Sequence, residues 1–260
     1  MKPTAASPLN RRQFLQRAAA GLALPLLVPG SVLGRNGVVA PSNRIVFGGI
    51  GMGHRARHIL PNFLSFKAIH FAAVSDARRD RLQSAKEMVD AHYSNSDCAM
   101  HEDFRALLAR PDIDAVLIAT GNRWHAMASM FAAHAGKDIY CEKPISLTIQ
   151  EGRNLVETCR RFGTIYQAGT QRRSTASYRF ARDMVQQGKI GRVHTVEMQV
   201  WTGDVVPHES ACPVPAGWDY DQWLGPVPWR PFVPARVNAW TCFWDTGEGI
   251  VWFKAKMEAV

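Results

Sequence analysis

The sequence predicts an α/β fold: a doubly wound parallel sheet followed by an incomplete second domain of α+β type. Short β-branched runs alternate with helix-length segments, which is typical of βαβ units and a parallel sheet. The first run, residues 44–50, ends in glycines and leads directly into a helical pattern. After residue 168 this alternation stops. Residues 192–202 instead alternate between apolar and polar side chains, as in a strand of an antiparallel or mixed sheet.

These patterns divide the chain into three parts. Residues 1–40 form a signal peptide and linker, residues 41–168 the doubly wound domain, and residues 169–260 a partial α+β domain. Within the last part, residues 203–246 are rich in Pro, Trp and Gly and lack periodicity; loops of that length are typically functional or cover another surface. The predicted strands of the first domain are 44–50, 69–75, 115–119, 138–141 and 164–168, and the predicted helices are 54–66, 79–92, 104–109, 124–135, 148–162 and, beyond the sheet, 174–187.

The composition is that of a globular protein whose basic charge is concentrated at one end. The chain has 260 residues, of which 47% are hydrophobic, and a formal net charge of +9. Residues 1–40 contain five of the cations and no acid, so they carry more than half of the net charge. No basic stripe interleaved with aromatic residues is present elsewhere, and we therefore do not expect nucleic acid as a partner.

The N-terminus has the architecture of an export signal. Arg11 and Arg12 precede an apolar stretch, residues 18–29, that is too short to span a bilayer. Paired arginines followed by Phe-Leu resemble the twin-arginine signal. We therefore expect the twin-arginine export machinery as a partner, cleavage between residues 30 and 40, a periplasmic or secreted location and no stable membrane anchor afterwards.

The cysteines predict neither a metal site nor a disulfide framework. Their spacing contains no C-x-x-C pair, and an odd number does not suit a fold held by disulfides. The five positions are Cys98, Cys141, Cys159, Cys212 and Cys242.

A glycine-rich turn follows the first predicted strand. Residues 51–56 read Gly-Met-Gly-His-Arg-Ala, a G-x-G-x-x-A form of the dinucleotide fingerprint of Rossmann folds. Gly51 permits the tight turn, Gly53 lets the backbone approach a pyrophosphate, and Ala56 lets the helix pack closely. The helix N-terminus then offers N–H groups to the phosphates. Glycine-rich turns also arise from packing alone, so the motif depends on its context.

An acidic residue, Asp76, ends the second predicted strand 25 residues after Gly51. A carboxylate at this place accepts hydrogen bonds from the adenosine ribose hydroxyls and favours NAD. Arg78 and Arg79 could instead bind a 2′-phosphate, which leaves NADP open. A simple helix N-cap is the alternative role for Asp76.

A charged pair, Glu142 and Lys143, stands before Pro144 at the end of strand 138–141. Ligands of open α/β sheets bind outside the carboxyl ends of the strands. A lysine there can contact cofactor and substrate, and burial or a neighbouring charge can lower its pKa towards proton-transfer duty. The alternative is a surface ion pair before a helix-starting proline.

Together these motifs resemble the Gfo/Idh/MocA family, the glucose–fructose oxidoreductase and inositol dehydrogenase type. The resemblance is carried by the glycine-rich turn, by Ile118-Ala119-Thr120, by Trp124-His125 and above all by Glu142-Lys143-Pro144. It continues through residues 169–172 and 188–193. Residues 218–226 and 229–231 are similar to an insertion of its secreted members, so that the resemblance covers about residues 43 to 250.

The resemblance implies roles for particular residues. Gly51, Met52, Gly53 and Asp76 would hold the adenosine half of the cofactor, whereas Thr120, Asn122, His125 and Glu142 would lie along its nicotinamide half. Lys143 would be the catalytic lysine and would touch both cofactor and substrate. Gln171 and Arg172 would begin the substrate pocket; the alternative is that they cap the following helix. Gly121-Asn122 stands where the family often has Pro-Asp, which leaves the contacts of that loop less defined.

The function implied is NAD(P)-dependent hydride transfer to or from a sugar or polyol carbon. An NAD-dependent glycoside hydrolase of the same family and a dinucleotide-binding module without turnover are the alternatives. Residues 251–260 lack the Asp and His of the family's Asp-x-Gly-x-His-like motif. We therefore expect a C-terminally truncated chain that binds dinucleotide but turns over substrate poorly. A homo-oligomer is left open.

Overall fold

The computed structural model describes residue 34 and residues 39–198, 206–247 and 255–258. The chain separates into a short N-terminal unit, residues 1–43, and a second unit, residues 44–260. The predicted export signal lies outside the described residues. Within the described residues, no helix combines the length and the apolar character that a membrane crossing requires.

The second unit is built on a six-stranded parallel sheet. Its strands are β1 (Ile45–Ile50), β2 (Ile69–Ser75), β3 (Ala99–His101), β4 (Ala115–Ile118), β5 (Asp138–Glu142) and β6 (Tyr166–Gly169), in the spatial order β3-β2-β1-β4-β5-β6. The strand order therefore reverses at β1, which pairs with β2 on one side and β4 on the other. This arrangement confirms the predicted doubly wound parallel sheet.

Helices connect the strands and cover both faces of the sheet. They are α1 (His54–Leu64), α2 (Arg79–Tyr93), α3 (Phe104–Leu108), α4 (Asn122–His134) and α5 (Ile149–Phe162). On one face, Leu60 of α1 and Leu82 of α2 belong to the same buried cluster as Leu117 of β4. On the other, Leu107 and Ala128 share a buried cluster with strand residues. Coverage on both faces explains why all four residues of β4 are buried and why its sequence is uninterruptedly apolar.

The elements beyond the sheet begin with α6 (Ala176–Gln186) and a two-stranded antiparallel pair, β7 (Thr195–Met198) and β8 (Ala255–Glu258). Only Thr195–Met198 of the predicted strand 192–202 lies in the described residues as a strand. In this strand, Val196 is 48% exposed. The apolar face that the alternation predicts is therefore not buried at this position. The predicted boundaries between the three parts of the chain remain predictions.

The segment of residues 206–247, called here the Trp-rich segment, has more structure than its sequence predicts. It contains α7 (Tyr220–Leu224), α8 (Pro234–Asn238) and a 3₁₀ turn at Trp240–Cys242. Its own apolar cluster is formed by Tyr220, Leu224, Phe232 and Val237. The short helices escaped sequence reasoning because five residues are too few to show a helical period.

The end of α7 lies directly against α4. Gly225 terminates α7 with φ +67°, and a Cβ at this position would overlap the Trp124 ring. Gly188, just beyond the end of α6, has nearly the same φ (+69°), but nothing lies near a Cβ there. Gly225 therefore differs from Gly188 in its close contact with Trp124, and its ψ of −130° also lies outside the left-handed helical region.

We predict that Gly225→Ala lowers the free energy of unfolding much more than Gly188→Ala does. The control carries only the cost of a positive φ, about 1 kcal/mol, whereas Gly225→Ala must also hold ψ −130° at a positive φ and displace Trp124. Urea unfolding of both variants measures the difference. Equal losses would mean that α7 does not approach α4 as closely as described.

Candidate functional site

A cavity of about 340 Å³ opens at the carboxyl edge of the sheet, where β1 and β4 diverge. This is the place at which open α/β sheets bind their ligands, and the volume is in the range of small-molecule sites. Four of the predicted site residues line it, namely Gly51, Gly53, Asp76 and Thr120.

The glycine-rich turn forms one wall of the cavity and lies in contact with the loop that follows β4. Gly51 has φ +78°, and a Cβ there would be only 2.6 Å from the Thr120 Cα. The Gly51 N–H donates to the Ser75 carbonyl at 2.8 Å, which ties the turn to β2 as well. A residue with a side chain at position 51 would push these loops apart, so that glycine is required here for close approach as well as for φ.

The beginning of α1 and the side chain of Arg81 make this part of the cavity electropositive. Gly53 precedes α1 and offers no side chain to cap it, so that first-turn N–H groups are available to an anion. Arg81 of α2 lines the same cavity, with Nη1 3.2 Å from the place of a Gly53 Cβ. Burial lowers the pKa of Arg81, an effect that the charge of Asp76 opposes. Sequence reasoning named Arg78 and Arg79 and missed Arg81, which lies about one helical turn after Arg78.

The carboxylate of Asp76 joins β2 to the glycine-rich turn. Oδ2 accepts the Met52 N–H at 2.6 Å and Oδ1 accepts the Arg78 N–H at 2.8 Å, while the residue is 8% exposed. Burial raises the pKa of Asp76; the hydrogen bond from the Arg78 N–H and the charge of Arg81 oppose the shift. Asp76 is not the N-cap of α2, since that position belongs to Arg78. The Met52 side chain is fully buried, so only its backbone is near the cavity.

The two arginines considered for a 2′-phosphate face the Trp-rich segment. Arg78 pairs with Asp80 at 2.6 Å, and its guanidinium lies 4.0 Å from the centre of the Trp218 ring. Arg79 is exposed, and its N–H donates to the Gly217 carbonyl. Of the arginines of α2 and its N-cap, it is therefore Arg81 that lines the cavity.

Two residues predicted along the nicotinamide half, Asn122 and His125, are buried in the first turn of α4. His125 Nδ1 lies 2.6 Å from the Pro144 carbonyl oxygen, and Nε2 lies 3.2 Å from that of Thr120. Burial lowers the pKa of His125 although both carbonyls favour its protonated form. A neutral ring can donate to only one of them, and the shorter distance indicates Pro144. His125 thus holds together the loops after β4 and β5, behind the cavity wall.

Glu142 and Lys143 lie at the end of β5, outside the residues that line the cavity. Glu142 is 3% exposed; its Oε1 accepts a hydrogen bond from Arg55 Nε at 2.9 Å and lies 2.8 Å from Arg55 Nη2 in an ion pair. This pair links α1 to β5. Lys143 is exposed, its N–H donates to Glu142 Oε2 at 3.3 Å, and its peptide bond to Pro144 is cis.

Gln171 and Arg172 begin the 3₁₀ turn Gln171–Ser174 that follows β6. The Gln171 amide donates to the Glu142 carboxylate and to the Tyr140 hydroxyl, the latter at 3.1 Å. Arg172 is exposed, with its guanidinium 5.2 Å from the centre of the Tyr178 ring. Neither is the N-cap of α6, which is Thr175. The structure therefore brings Gln171, Glu142 and Arg55 together, whereas Arg172 points elsewhere.

The Trp-rich segment forms the opposite wall of the cavity. Gln222, Trp223 and Trp240 line it from this segment, facing Phe104 of α3 and Trp124 of α4. Trp124 and Phe104 pack edge to face with ring centres 5.3 Å apart. The cavity thus combines a polar side at the glycine-rich turn with an aromatic side.

A buried arginine, Arg123, anchors the Trp-rich segment on α4. Its Nε lies 2.9 Å from the carbonyl oxygens of both Trp223 and Leu224, and Nη1 lies 3.4 Å from that of Thr246. The guanidinium also lies 4.0 Å from the centre of the Trp223 ring. Burial lowers the pKa of Arg123 to about 10, a shift that Asp245 opposes, so the group stays charged at neutral pH. Sequence reasoning did not single out Arg123, because its acceptors lie about 100 residues away.

The cysteines take no part in the cavity. All five are free thiols, and burial raises the pKa of Cys98 to about 12 and of Cys141 to about 11. In the part of the chain that the structure describes, no group of three or more His, Cys, Asp or Glu side chains is placed to hold a metal ion.

Known proteins share the first domain of this chain. Residues 44–170 match a family model described as an oxidoreductase family with a NAD-binding Rossmann fold. The uncharacterized oxidoreductase YrbE of Bacillus subtilis is 31% identical over 157 residues, 60% of this chain and 44% of that protein. Myo-inositol 2-dehydrogenase of Thermotoga maritima is 28% identical over 151 residues, which are 58% of this chain and 43% of that protein. Glycosyl hydrolase family 109 protein 1 of a Shewanella species is 28% identical over 176 residues, a match that covers 59% of this chain and 37% of that protein.

Solved structures agree with this match. A scyllo-inositol dehydrogenase from Lactobacillus casei with bound NAD(H) and scyllo-inositol has a TM-score of 0.54 at 26% identity, covering 62% of this chain and 46% of that one. A 3-ketoreductase from Actinomadura kijaniata in complex with NADP has the same TM-score at 25% identity, covering 60% and 46%. The chain therefore spans less than half the length of these proteins. The prediction of a nicotinamide-dinucleotide-binding domain is confirmed, while the roles of individual residues remain predictions.

We predict that Arg123→Met loosens the Trp-rich segment. The variant removes charge-assisted hydrogen bonds to buried carbonyls and should lower the free energy of unfolding by about 1–3 kcal/mol. Arg182→Met is the control, since Arg182 is 55% exposed and pairs with its neighbour Asp183. Chymotrypsin should cleave residues 206–247 faster in Arg123→Met than in the wild-type protein, whereas Arg182→Met should be cleaved at the wild-type rate. Wild-type cleavage rates in that variant would show that other contacts hold the segment.

Proposed function

Because residues 44–170 match a family model described as an oxidoreductase family with a NAD-binding Rossmann fold, we propose that the protein belongs to the Gfo/Idh/MocA family and transfers hydride between a nicotinamide dinucleotide and a CH–OH carbon of a sugar or polyol. The observation that carries the proposal is the cavity at the strand-order reversal, with the glycine-rich turn, Asp76 and Arg81 on one wall. Relatives named as inositol dehydrogenases support the substrate class.

The described residues fit the cofactor. The backbone at Gly51 and Gly53 and the start of α1 would hold the pyrophosphate, with Arg81 as an additional cation. A carboxylate has about four acceptor positions; Asp76 uses two for the Met52 and Arg78 N–H groups. The remaining positions would accept the adenosine ribose hydroxyls. When bound, the cofactor supplies the hydride donor or acceptor.

Lys143 is the proposed proton-transfer residue. It follows Glu142 at the carboxyl end of β5, and its exposed side chain is accessible to a substrate hydroxyl. Arg55 and Gln171 hold the Glu142 carboxylate, which in turn accepts the Lys143 N–H. This network fixes the backbone from which the lysine extends. A lysine so placed takes the hydroxyl proton as the carbon is oxidised and returns it in the reverse direction.

Two other functions use the same domain. The relative named as a glycosyl hydrolase favours NAD-dependent glycoside hydrolysis as the second candidate. A dinucleotide-binding module without turnover is the third. Net NADH release that depends on substrate distinguishes the dehydrogenase from the hydrolase, and binding without either reaction identifies the module.

We predict that the protein binds NAD more tightly than NADP. The buried carboxylate of Asp76 repels a 2′-phosphate and accepts hydroxyl hydrogen bonds, which are worth about 1–3 kcal/mol to a charged acceptor. Asp76→Asn should therefore narrow the ratio of the two dissociation constants, measured by titration calorimetry. Arg81→Met removes a positive charge rather than a negative one, and it should weaken the binding of NADP at least as much as the binding of NAD. Tighter binding of NADP by the unmodified protein would contradict the assignment.

We predict that Lys143→Met lowers turnover by about 10²–10⁴-fold and raises the NAD dissociation constant by a much smaller factor, because most of the proposed cofactor contacts lie at the glycine-rich turn, Asp76 and Arg81. NADH formation over a panel of sugars and polyols is the assay. Lys189→Met, an exposed lysine after α6, is the matched control. If no compound yields NADH while NAD still binds, the dehydrogenase proposal fails, and an assay of glycoside cleavage decides between the hydrolase and the binding module.

Export through the twin-arginine pathway to the periplasm or medium is also proposed, on the basis of Arg11, Arg12 and the apolar stretch that follows. Arg11→Lys with Arg12→Lys should retain the protein in the cytoplasm, because the pathway reads the paired guanidinium groups rather than the charge. Arg17→Lys is the control with the same chemical change. Cell fractionation and blotting give the result, and normal export of the double variant would contradict the proposal.

A further inference from the structure

We infer that the Trp-rich segment closes the adenosine half of the dinucleotide cavity and that Trp240 supplies a face on which the adenine ring stacks. The inference rests on the proposed binding of a dinucleotide. It adds a binding surface from outside the Rossmann domain, which ends at β6.

The contacts of the Trp-rich segment place it over one half of the cavity. The Asp219 N–H donates to the Ala77 carbonyl at 2.8 Å, just beyond β2. Gln222 donates from its side-chain amide to the Glu102 carbonyl, just beyond β3. The Trp124 indole N–H, in the first turn of α4, donates to the Gln222 carbonyl at 2.9 Å. The segment is therefore seated on loops that follow β2, β3 and β4.

Of these loops, those after β2 and β3 belong to the adenosine side. In the order β3-β2-β1-β4-β5-β6, the loops after β2 and β3 flank Asp76, the proposed ribose acceptor. Lys143, the proposed proton-transfer residue, extends from β5 on the other side of β4. A dinucleotide with its ribose at Asp76 and its reactive end near β5 therefore places its purine towards Phe104, Trp223 and Trp240, which line the same cavity.

Of the two tryptophans that the segment contributes, Trp240 is the one with a ring face available. Trp223 already makes two ring contacts: it stacks on Tyr220 with ring centres 5.7 Å apart and planes 12° apart, and Arg123 lies 4.0 Å from its centre. Around Trp240, the described residues contribute no aromatic ring in contact, and the nearest cation, Arg123, is 6.0 Å from the ring centre. A half-buried indole that lines a cavity is a suitable surface for a purine, because stacking on an aromatic side chain needs only a π face.

The test compares Trp240→Ala with Trp244→Ala in the full 260-residue chain. Trp244 lies in the same segment but is 75% exposed and outside the cavity. Titration calorimetry measures the binding of NAD and of ADP-ribose, which keeps the adenosine half and lacks nicotinamide. Trp240→Ala should weaken both by about tenfold, within the range for one base stacked on one aromatic side chain. Trp244→Ala should leave both within about twofold, and Trp240→Phe should retain most of the affinity.

Each other result overturns the inference in a distinct way. Unchanged binding by Trp240→Ala, or a loss for NAD without a loss for ADP-ribose, would place the ring away from the adenine. If the unmodified chain binds neither compound, the proposed function fails and the inference with it.

A second measurement covers the case in which Trp240→Ala does not fold. Hydrogen exchange of the unmodified chain should slow at residues 217–224 and 239–242 when ADP-ribose is added. Unchanged exchange there, with binding detected by calorimetry, would overturn the inference.

Discussion

The contact between the glycine-rich turn and the loop after β4 is the constraint on which the rest of the site depends. The sheet reverses its strand order at β1, so the loops leaving β1 and β4 diverge and open a crevice. At the base of that crevice the two backbones nearly touch, with only 2.6 Å between the place of a Gly51 Cβ and the Thr120 Cα. The crevice is therefore narrow enough for main-chain groups of both loops to reach one ligand, and Asp76 joins it because its carboxylate holds the Met52 N–H.

The other wall is held by a different kind of interaction. Arg123 is 4% exposed, and such burial of a cation is costly unless hydrogen bonds compensate for lost water. Three main-chain carbonyls and an indole face do so, with Asp245 as a more distant countercharge. A neutral apolar residue would avoid the desolvation but would leave the carbonyls without a donor. Arg123 is thus a buried attachment of the Trp-rich segment, in addition to the hydrogen bonds that Trp124, Ala77 and Glu102 make with it.

The sequence was informative where a local pattern determines the structure. Strand β2 was predicted with its observed bounds, and Asp76 was placed correctly at its end, because an apolar run followed by a polar break is a local signal. Strand β3 was missed because three residues are too few to show the alternation of a strand. Arg81 and Arg123 were missed for another reason: their surroundings are created by chain segments far away in sequence. The same holds for His125. Its motif was recognised in the sequence, but its burial behind Thr120 and Pro144 depends on how the loops after β4 and β5 meet.

The acceptors that Arg123 uses are all main-chain oxygens, and this determines how the Trp-rich segment can change over evolution. Hydrogen bonds from a guanidinium to main-chain carbonyls do not depend on the side chains of the accepting residues. Substitutions at positions 223, 224 and 246 therefore keep these hydrogen bonds as long as the backbone conformation is kept. Position 123 has no such freedom. The attachment is therefore asymmetric: its donor is one side chain, whereas its hydrogen-bond acceptors are main-chain groups whose own side chains can change without loss of these bonds.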